Sequence, residues 1–156
     1  MSKCVVIGVT GGIAVYKALD VISALRKKDV EVHVIMTESA SKFVNPLTFQ
    51  SISQNMVVTD MFAEPKAWEI QHISLAQKAD LMLIAPATAN IIGKVANGIS
   101  DDMLSTTIMA AAKAKVIFAP AMNTNMYQNK IVQNNIEKLK EFGYGFIEPA
   151  SGRLAC

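Results

Sequence analysis

Hydrophobic positions along the chain switch between two periodicities, and this switching predicts strands that alternate with helices. Residues 5–9 form a run of β-branched residues with one glycine, which is typical of a strand buried on both faces. Between residues 13 and 28 the apolar positions follow helical spacing, and three consecutive cations at the end suit a helix carboxyl terminus. Residues 32–36 form a second apolar run and predict a second strand.

The same alternation continues along the rest of the chain. Asn45 and Pro46 predict a helix start, because asparagine is a good cap and proline fits the first turn. Further strands are predicted at 57–58, 81–85, 116–119 and 144–147, further helices at 72–78, 91–96, 102–112 and 130–142, and a loop at 60–71. The pattern predicts one α/β domain over 1–156, with a Rossmann-like or flavodoxin-like, doubly wound parallel sheet and helices on both faces.

Charge and composition exclude several kinds of partner. Lys and Arg total 15, Asp and Glu total 13, and the net charge of +2 comes without a basic run, so we expect no nucleic-acid partner. No apolar stretch approaches the roughly 18 residues that would cross a membrane, and the start of the chain lacks signal-peptide features. Cys4 and Cys156 lie far apart without a Cys-x-x-Cys motif, so we expect a reduced, cytoplasmic protein with no metal.

Small and polar residues follow each of the main predicted strands. In doubly wound sheets ligands bind beyond the carboxyl ends of the strands, so these residues form the candidate site. They are Thr10, Gly11, Gly12 and Ile13 after the first strand, Thr37, Glu38 and Ser39 after the second, Pro86, Ala87, Thr88, Ala89 and Asn90 after the fourth, and Pro120, Ala121, Met122 and Asn123 after the fifth. Their small size lets the backbone approach a flat ligand closely.

The first turn and the second strand end favour a mononucleotide over a dinucleotide. The turn lacks the third glycine of the dinucleotide fingerprint. Thr37 and Ser39 offer hydroxyls near a helix start, which suits one terminal phosphate and therefore FMN better than NAD. Glu38, between these two residues, is a candidate acid for binding a ribose, and this alternative stays open. Another interpretation is that these glycines and hydroxyls only form turns and helix caps.

His72 and Cys4 are interpreted from position alone. A lone histidine such as His72 is either a structural residue or a catalytic one, and its spacing does not decide between them. Cys4 opens the first strand, at the end opposite the expected site, and is interpreted as a structural thiol.

Five segments, taken in order, resemble motifs of the flavin-containing cysteine decarboxylases and together span nearly the whole chain. They are TGGIAVYK at 10–17, HISL at 72–75, APATAN at 85–90, PAMNTNMY at 120–127 and GRLAC at 152–156. Tyr127 stands where the family usually has tryptophan. Family members continue past the position of Cys156, so we expect this chain to be truncated there.

The resemblance implies the cofactor FMN and the decarboxylation of phosphopantothenoylcysteine to 4'-phosphopantetheine in coenzyme A biosynthesis, through a thioaldehyde and an enethiolate. It implies that His72 is a base, that Asn123 binds the substrate carboxylate and that Cys156 is a proton donor. Met122, Asn123, Met126 and Ala155 would contact the substrate, and Thr10, Gly11, Gly12, Ile13, Thr37, Ser39, Pro86, Ala87, Thr88, Ala89 and Asn90 would hold the flavin.

The resemblance also implies an assembly. Family members form homo-oligomers, as trimers or dodecamers of trimers, with the flavin site at the subunit contact, and some carry a fused synthetase domain. Two other functions stay open: a flavin prenyltransferase, and a flavin-binding regulatory subunit without catalysis. The PAMN segment and Cys156 argue against the first, and the presence of His72, Asn123 and Cys156 argues against the second.

Overall fold

Five parallel strands form a single sheet in the computed structural model, which describes residues 2–62 and 71–149. The strands are β1 (Cys4–Val9), β2 (Glu31–Met36), β3 (Leu81–Ala87), β4 (Lys115–Pro120) and β5 (Gly145–Phe146). Their order in the sheet is β2-β1-β3-β4-β5, and every neighbouring pair is parallel. This is the flavodoxin-like order, in which the winding direction reverses between β1 and β3.

Helices cover both faces of the sheet. They are α1 (Val15–Arg26), α2 (Glu38–Ser41), α3 (Pro46–Ser53), α4 (Gln71–Lys78), α5 (Ala89–Ala96), α6 (Met103–Ala110), α7 (Thr124–Gln128) and α8 (Lys130–Glu141). Val5, Ile7 and Val9 of β1 pack with α1 and α3 in one buried cluster. Val6 faces the opposite side, where α4, α5, α6 and α8 contribute to a second cluster. The doubly wound α/β fold predicted from the sequence is therefore confirmed.

Most of the predicted elements are present within one or two residues of their predicted bounds, and Asn45 caps α3 as expected, its Oδ1 accepting from Leu47 N at 2.9 Å. The predicted third strand at 57–58 is wrong: Val58 makes only an isolated parallel bridge to Ile35 at the sheet edge. The apolar segment is too short to extend the sheet, because exposed polar residues follow it at once. Within the described residues, no helix has the length and apolar character needed to cross a bilayer.

The short helices α2 and α7 were not predicted. With four and five residues, they are too short for a 3.6-residue hydrophobic period to appear. Each begins at a capping side chain, Thr37 directly after β2 and Asn123 three residues after β4, so local hydrogen bonds specify them instead.

Gly8 allows α6 to lie close to the centre of the sheet. A Cβ built at this position would overlap a methyl group of Leu104 and would lie 3.0 Å from Ile84 Cδ1. Gly8 is fully enclosed between β2 and β3, so the backbone cannot shift away easily. The missing side chain is therefore a packing requirement of this helix–sheet contact.

We expect Gly8→Ala to lower the free energy of unfolding by about 1–3 kcal/mol, the usual cost of overpacking a core. Gly93→Ala in α5 is the matched control, because its new Cβ would meet only Asn135 Nδ2, at 3.6 Å. The control should be neutral or stabilising by up to about 1 kcal/mol, since alanine favours a helix over glycine. Chemical denaturation followed by circular dichroism measures both, and equal effects of the two substitutions would contradict this account.

Candidate functional site at the carboxyl ends of the strands

The carboxyl ends of the strands open into a cleft with two lobes, which share Gly11, Thr88 and Asn90. The polar lobe has a volume of about 730 Å³ and lies beyond β1, β2 and β3. The apolar lobe, of about 630 Å³, lies between α1 and the ends of β3 and β4. The two lobes meet at the β1/β3 switch point, where a doubly wound sheet places its ligand.

The polar lobe carries hydroxyls on one side, with the Glu38 carboxylate between them, and further carboxylates on another. Thr37 and Ser39 come from the end of β2 and the start of α2, while Asp101 and Asp102 precede α6. Lys94 Nζ lies 2.8 Å from Asp101 Oδ1 and 3.9 Å from Asp102 Oδ2. Its hydrogen bond lowers the pKa of Asp101, so this carboxylate stays ionised at neutral pH. A phosphate is therefore expected on the hydroxyl side, away from the acidic wall.

Small and apolar side chains line the second lobe. Its floor is formed mainly by glycine, alanine and proline: Gly11, Gly12, Ala14, Ala85, Pro86, Ala89, Ala119, Pro120 and Ala121. Larger side chains stand at its rim, where Ile13 is 51% exposed, Tyr16 48% and Met126 48%. A shallow apolar floor with large side chains at the rim suits a flat aromatic ring.

Three polar residues that follow strands cap the next helix, and two of them, Thr37 and Thr88, line the cleft. Thr37 Oγ1 accepts from Ala40 N at 3.2 Å, and Thr88 Oγ1 accepts from Ile91 N at 3.3 Å. Asn123 Oδ1 accepts from Asn125 N at 2.8 Å. Capping is therefore an observed role of all three side chains. It does not exclude ligand binding, because capping uses only an oxygen lone pair and leaves the hydroxyl or amide hydrogens available.

Thr10 ties the end of β1 to the end of β3. Its side chain is 2% exposed, its Oγ1 donates to the Pro86 carbonyl, and the same oxygen accepts from Thr88 N at 3.1 Å. The only hydroxyl proton is therefore already committed within the protein. Thr10 lines the polar lobe, but its position indicates that it orients the Pro86–Thr88 segment.

The missing side chain has different consequences at Gly11 and at Gly12. A Cβ on Gly11 would lie 2.5 Å from Ser39 Cβ and 3.0 Å from the Ser39 carbonyl carbon, so glycine allows α2 to approach the first turn. A Cβ on Gly12 would meet no atom within 4 Å, and Gly12 is not among the residues with positive φ. Neither packing against the described residues nor backbone conformation requires glycine at position 12. Its missing side chain leaves open space in the apolar lobe for a ligand.

The cleft gathers most, but not all, of the residues predicted from the sequence. Met122 and Met126 line the apolar lobe. Three predicted residues line neither lobe: His72, partly exposed at the start of α4, Asn123, exposed at the start of α7, and Ala87, fully buried at the end of β3. Ala155 and Cys156 lie outside the described residues. The roles of these residues therefore stay predictions.

Sequence reasoning missed several residues that line the cleft. They include Lys17 in the apolar lobe, and Asp60, Lys94, Asp101 and Asp102 in the polar lobe. Lys94 could have been found, because it lies four residues after Asn90 and therefore on the same side of α5. Asp101 and Asp102 gave no such signal, since they precede a helix and follow no strand.

The fold and the cleft together define a class: a flavodoxin-like α/β protein whose switch-point site fits a mononucleotide with a flat ring. The comparison with known families identifies the particular family within this class. A family model described as Flavoprotein matches residues 1–156, and the chain belongs to this family.

Individual relatives agree with the family. The chain is 55% identical to the coenzyme A biosynthesis bifunctional protein CoaBC of Bacillus subtilis over 99% of its own length, and it spans 38% of that protein. It is 44% identical to a probable phosphopantothenoylcysteine decarboxylase of Streptococcus mutans, covering all of this chain and 88% of the relative. Among solved structures, the FMN-dependent cysteine decarboxylase SpaF superposes with a TM-score of 0.89 at 33% identity, over 96% of this chain and 86% of that one.

We expect Thr10→Val to lower the free energy of unfolding by about 1–3 kcal/mol, because it leaves the buried Thr88 N–H without its partner. Thr10→Ser keeps the hydroxyl and should lose much less. Chemical denaturation of both variants tests the assignment. If valine and serine have the same effect, the loss comes from packing, and the tie between β1 and β3 is unimportant.

Proposed function

We propose that this chain is an FMN-dependent decarboxylase that converts phosphopantothenoylcysteine to 4'-phosphopantetheine and CO2 in coenzyme A biosynthesis. The observation that carries the proposal is the two-lobed cleft at the β1/β3 switch point, with a polar junction and a small-residue apolar floor. The names of the Bacillus subtilis and Streptococcus mutans relatives support this substrate. The name of SpaF supports FMN as the cofactor.

The residues of the cleft fit FMN. The apolar lobe accommodates the ring system, and the open space at Gly12 leaves room for it. Ser39 packs directly against Gly11, so a hydroxyl and the backbone of the first turn meet where the two lobes join. That junction suits the phosphate. When bound, FMN supplies the two-electron oxidation of the substrate and its later reversal.

Asn123 is proposed to bind the substrate carboxylate. It lies between Met122 and Met126, which both line the apolar lobe, so a short side chain at this position is close to the ring site. Its Oδ1 is occupied by the α7 cap. Within the described residues its amide nitrogen has no hydrogen-bond partner, and two N–H groups suit a carboxylate. The amide would hold the carboxylate in place until CO2 leaves.

His72 is proposed to accept a proton from the substrate, and a second copy of the chain is proposed to supply it. Within one chain His72 lines neither lobe. Exposed apolar side chains surround the apolar lobe, which indicates that another surface covers it: Ile13, Tyr16 and Met126 are each about half exposed. We therefore propose a homo-oligomer, either a trimer or a dodecamer built from trimers, with the flavin site at the contact between copies.

Four further parts of the proposal depend on the sequence and the comparisons. Cys156 would donate a proton to the decarboxylated carbon, because a thiol with an ordinary pKa of about 8.5 is protonated at neutral pH. Ala155 would contact the substrate beside it. The CoaBC relative is longer than this chain, which supports a fused synthetase domain in the native protein. We place the reaction in the cytoplasm.

CO2 release from phosphopantothenoylcysteine by the purified, flavin-loaded protein tests the function. A peptide that ends in a carboxyl-terminal cysteine is the second arm, because it offers the same reacting group without the pantothenoyl part. Release from the first substrate alone is expected. Release of CO2 from the peptide alone would show that the substrate is a peptide with a carboxyl-terminal cysteine instead of phosphopantothenoylcysteine. A flavin-loaded protein that releases no CO2 from either compound would indicate a regulatory flavin-binding subunit.

We expect Gly12→Ala to weaken FMN binding by roughly 10- to 100-fold, because its Cβ occupies open space in the apolar lobe and overpacking costs about 1–3 kcal/mol. Fluorescence titration with FMN measures the affinity. Gly93→Ala, away from both lobes, is the control and should bind normally. The stability of the flavin-free Gly12→Ala protein should be unchanged, so normal FMN affinity in a folded variant would contradict the assigned ring site.

We expect His72→Asn to lower the rate of CO2 release by roughly 10²- to 10⁴-fold, the usual effect of removing a general base. The flavin content should stay the same, because the cofactor is held at the strand ends. Gln77→Ala, an exposed change on the same helix, is the control and should keep the full rate. An unchanged rate in His72→Asn would make this histidine a structural residue.

A further inference from the structure

Three different donor atoms meet at the amino ends of β1 and β2, at the opposite end of the sheet from the cleft. Cys4 pairs directly with Glu31 in the parallel register, and His33 lies two residues further along β2, on the same face as Glu31. One ligand atom from each of the three side chains lies within 4.8 Å of the other two. No local motif predicts this cluster, because 27 or more residues separate the cysteine from the other two donors.

The backbone that carries these donors is held firmly. Cys4 N donates to Asp80 Oδ2 at 2.8 Å, and Asp80 N donates to the Cys4 carbonyl at 2.9 Å. The ladder with β2 fixes the other side of β1. Cys4 is only 4% exposed, while the His33 and Glu31 side chains are 17% and 29% exposed. The cluster is thus preorganised, with one side open to solvent.

The charges around the cluster permit a cation. Glu31 Oε1 lies 2.8 Å from His33 Nε2 and is also paired with Lys78 Nζ. Asp80 adds a second carboxylate nearby. Lys78 is the one opposing cation among the groups described at this cluster, and its side chain is 47% exposed, so it can turn into solvent.

We propose that Cys4, Glu31 and His33 form a binding site for a divalent transition-metal ion of the Zn²⁺ class. Thiolate, imidazole and carboxylate are the ligands that Zn²⁺ takes in proteins, and three protein ligands leave a fourth position for water. Binding forms S–Zn, N–Zn and O–Zn bonds: the Cys4 thiol releases its proton to solvent, the ligating nitrogen of His33 is deprotonated and gives up its hydrogen bond to Glu31, and Lys78 leaves Glu31. Neither the metal nor the sulfur is oxidised or reduced.

The site would fasten β1 to β2 at the end of the sheet that the flavin does not reach. It is independent of the proposed decarboxylation, since none of its ligands lines either lobe. At an ion concentration of about 100 times the dissociation constant, we expect the melting temperature to rise by about 5–10 °C.

Co²⁺ titration of the full chain tests the proposal, because a cobalt–thiolate bond gives a near-ultraviolet charge-transfer band. The chain has two cysteines and two histidines, which supply matched controls. Cys4→Ser should abolish the band, and His33→Gln should weaken binding by at least about 10- to 100-fold. Cys156→Ser and His72→Gln should leave the band and the affinity unchanged.

Lys78→Met provides a variant expected to improve binding. Removing the competing ammonium should tighten binding by about two- to fivefold, the usual range for a partly exposed ion pair. Zn²⁺ added after Co²⁺ should remove the band by displacement.

Three results would overturn the assignment. They are no charge-transfer band at millimolar Co²⁺, loss of the band in Cys156→Ser with retention in Cys4→Ser, or unchanged affinity in Lys78→Met. Should Cys4→Ser fail to fold, the comparison of His33→Gln with His72→Gln and the Lys78→Met result still decide the question.

Discussion

The hydroxyl of Thr10 joins the carboxyl ends of β1 and β3, and the functional cleft depends on this contact. One buried oxygen donates to Pro86 O and accepts from Thr88 N, so it fixes the segment from which α5 begins. The sheet changes its winding direction between the same two strands, which separates the helices on either side. The floor is therefore rigid where the two lobes meet, and a ligand that enters finds polar groups already in place.

Helix capping and the proposed ligand binding use the same residues in this fold. Thr37 and Thr88 each follow the last residue of a strand, line the cleft and cap the next helix, so these polar atoms of the cleft are oriented by the secondary structure itself. The cap accepts through oxygen and leaves N–H or O–H donors facing outward. A flavoprotein built this way orders its binding groups before the cofactor arrives, which reduces the conformational entropy that binding must overcome.

The two ends of the sheet have different chemistry. At the carboxyl ends, small residues and helix starts leave room for a flat molecule. No described residue lies close enough to Gly12 to require a glycine there. At the amino ends, Cys4, Glu31 and His33 crowd together in a space of a few ångströms. The length of the central strands keeps these two regions apart, so a change at one end need not disturb the other.

The sequence by itself determined the strands, most of the helices and the strand-end motifs, because buried runs, helical spacing and caps are local signals that adjacent residues carry. It also led to the flavin-binding family through motifs at 10–17, 85–90 and 120–127. It did not determine that 57–58 would fail to extend the sheet, that His72 would lie away from its own cleft, or that Cys4 would meet His33. Only the tertiary structure decided these, because strand register, helix docking and the contact between distant side chains depend on the whole packed sheet.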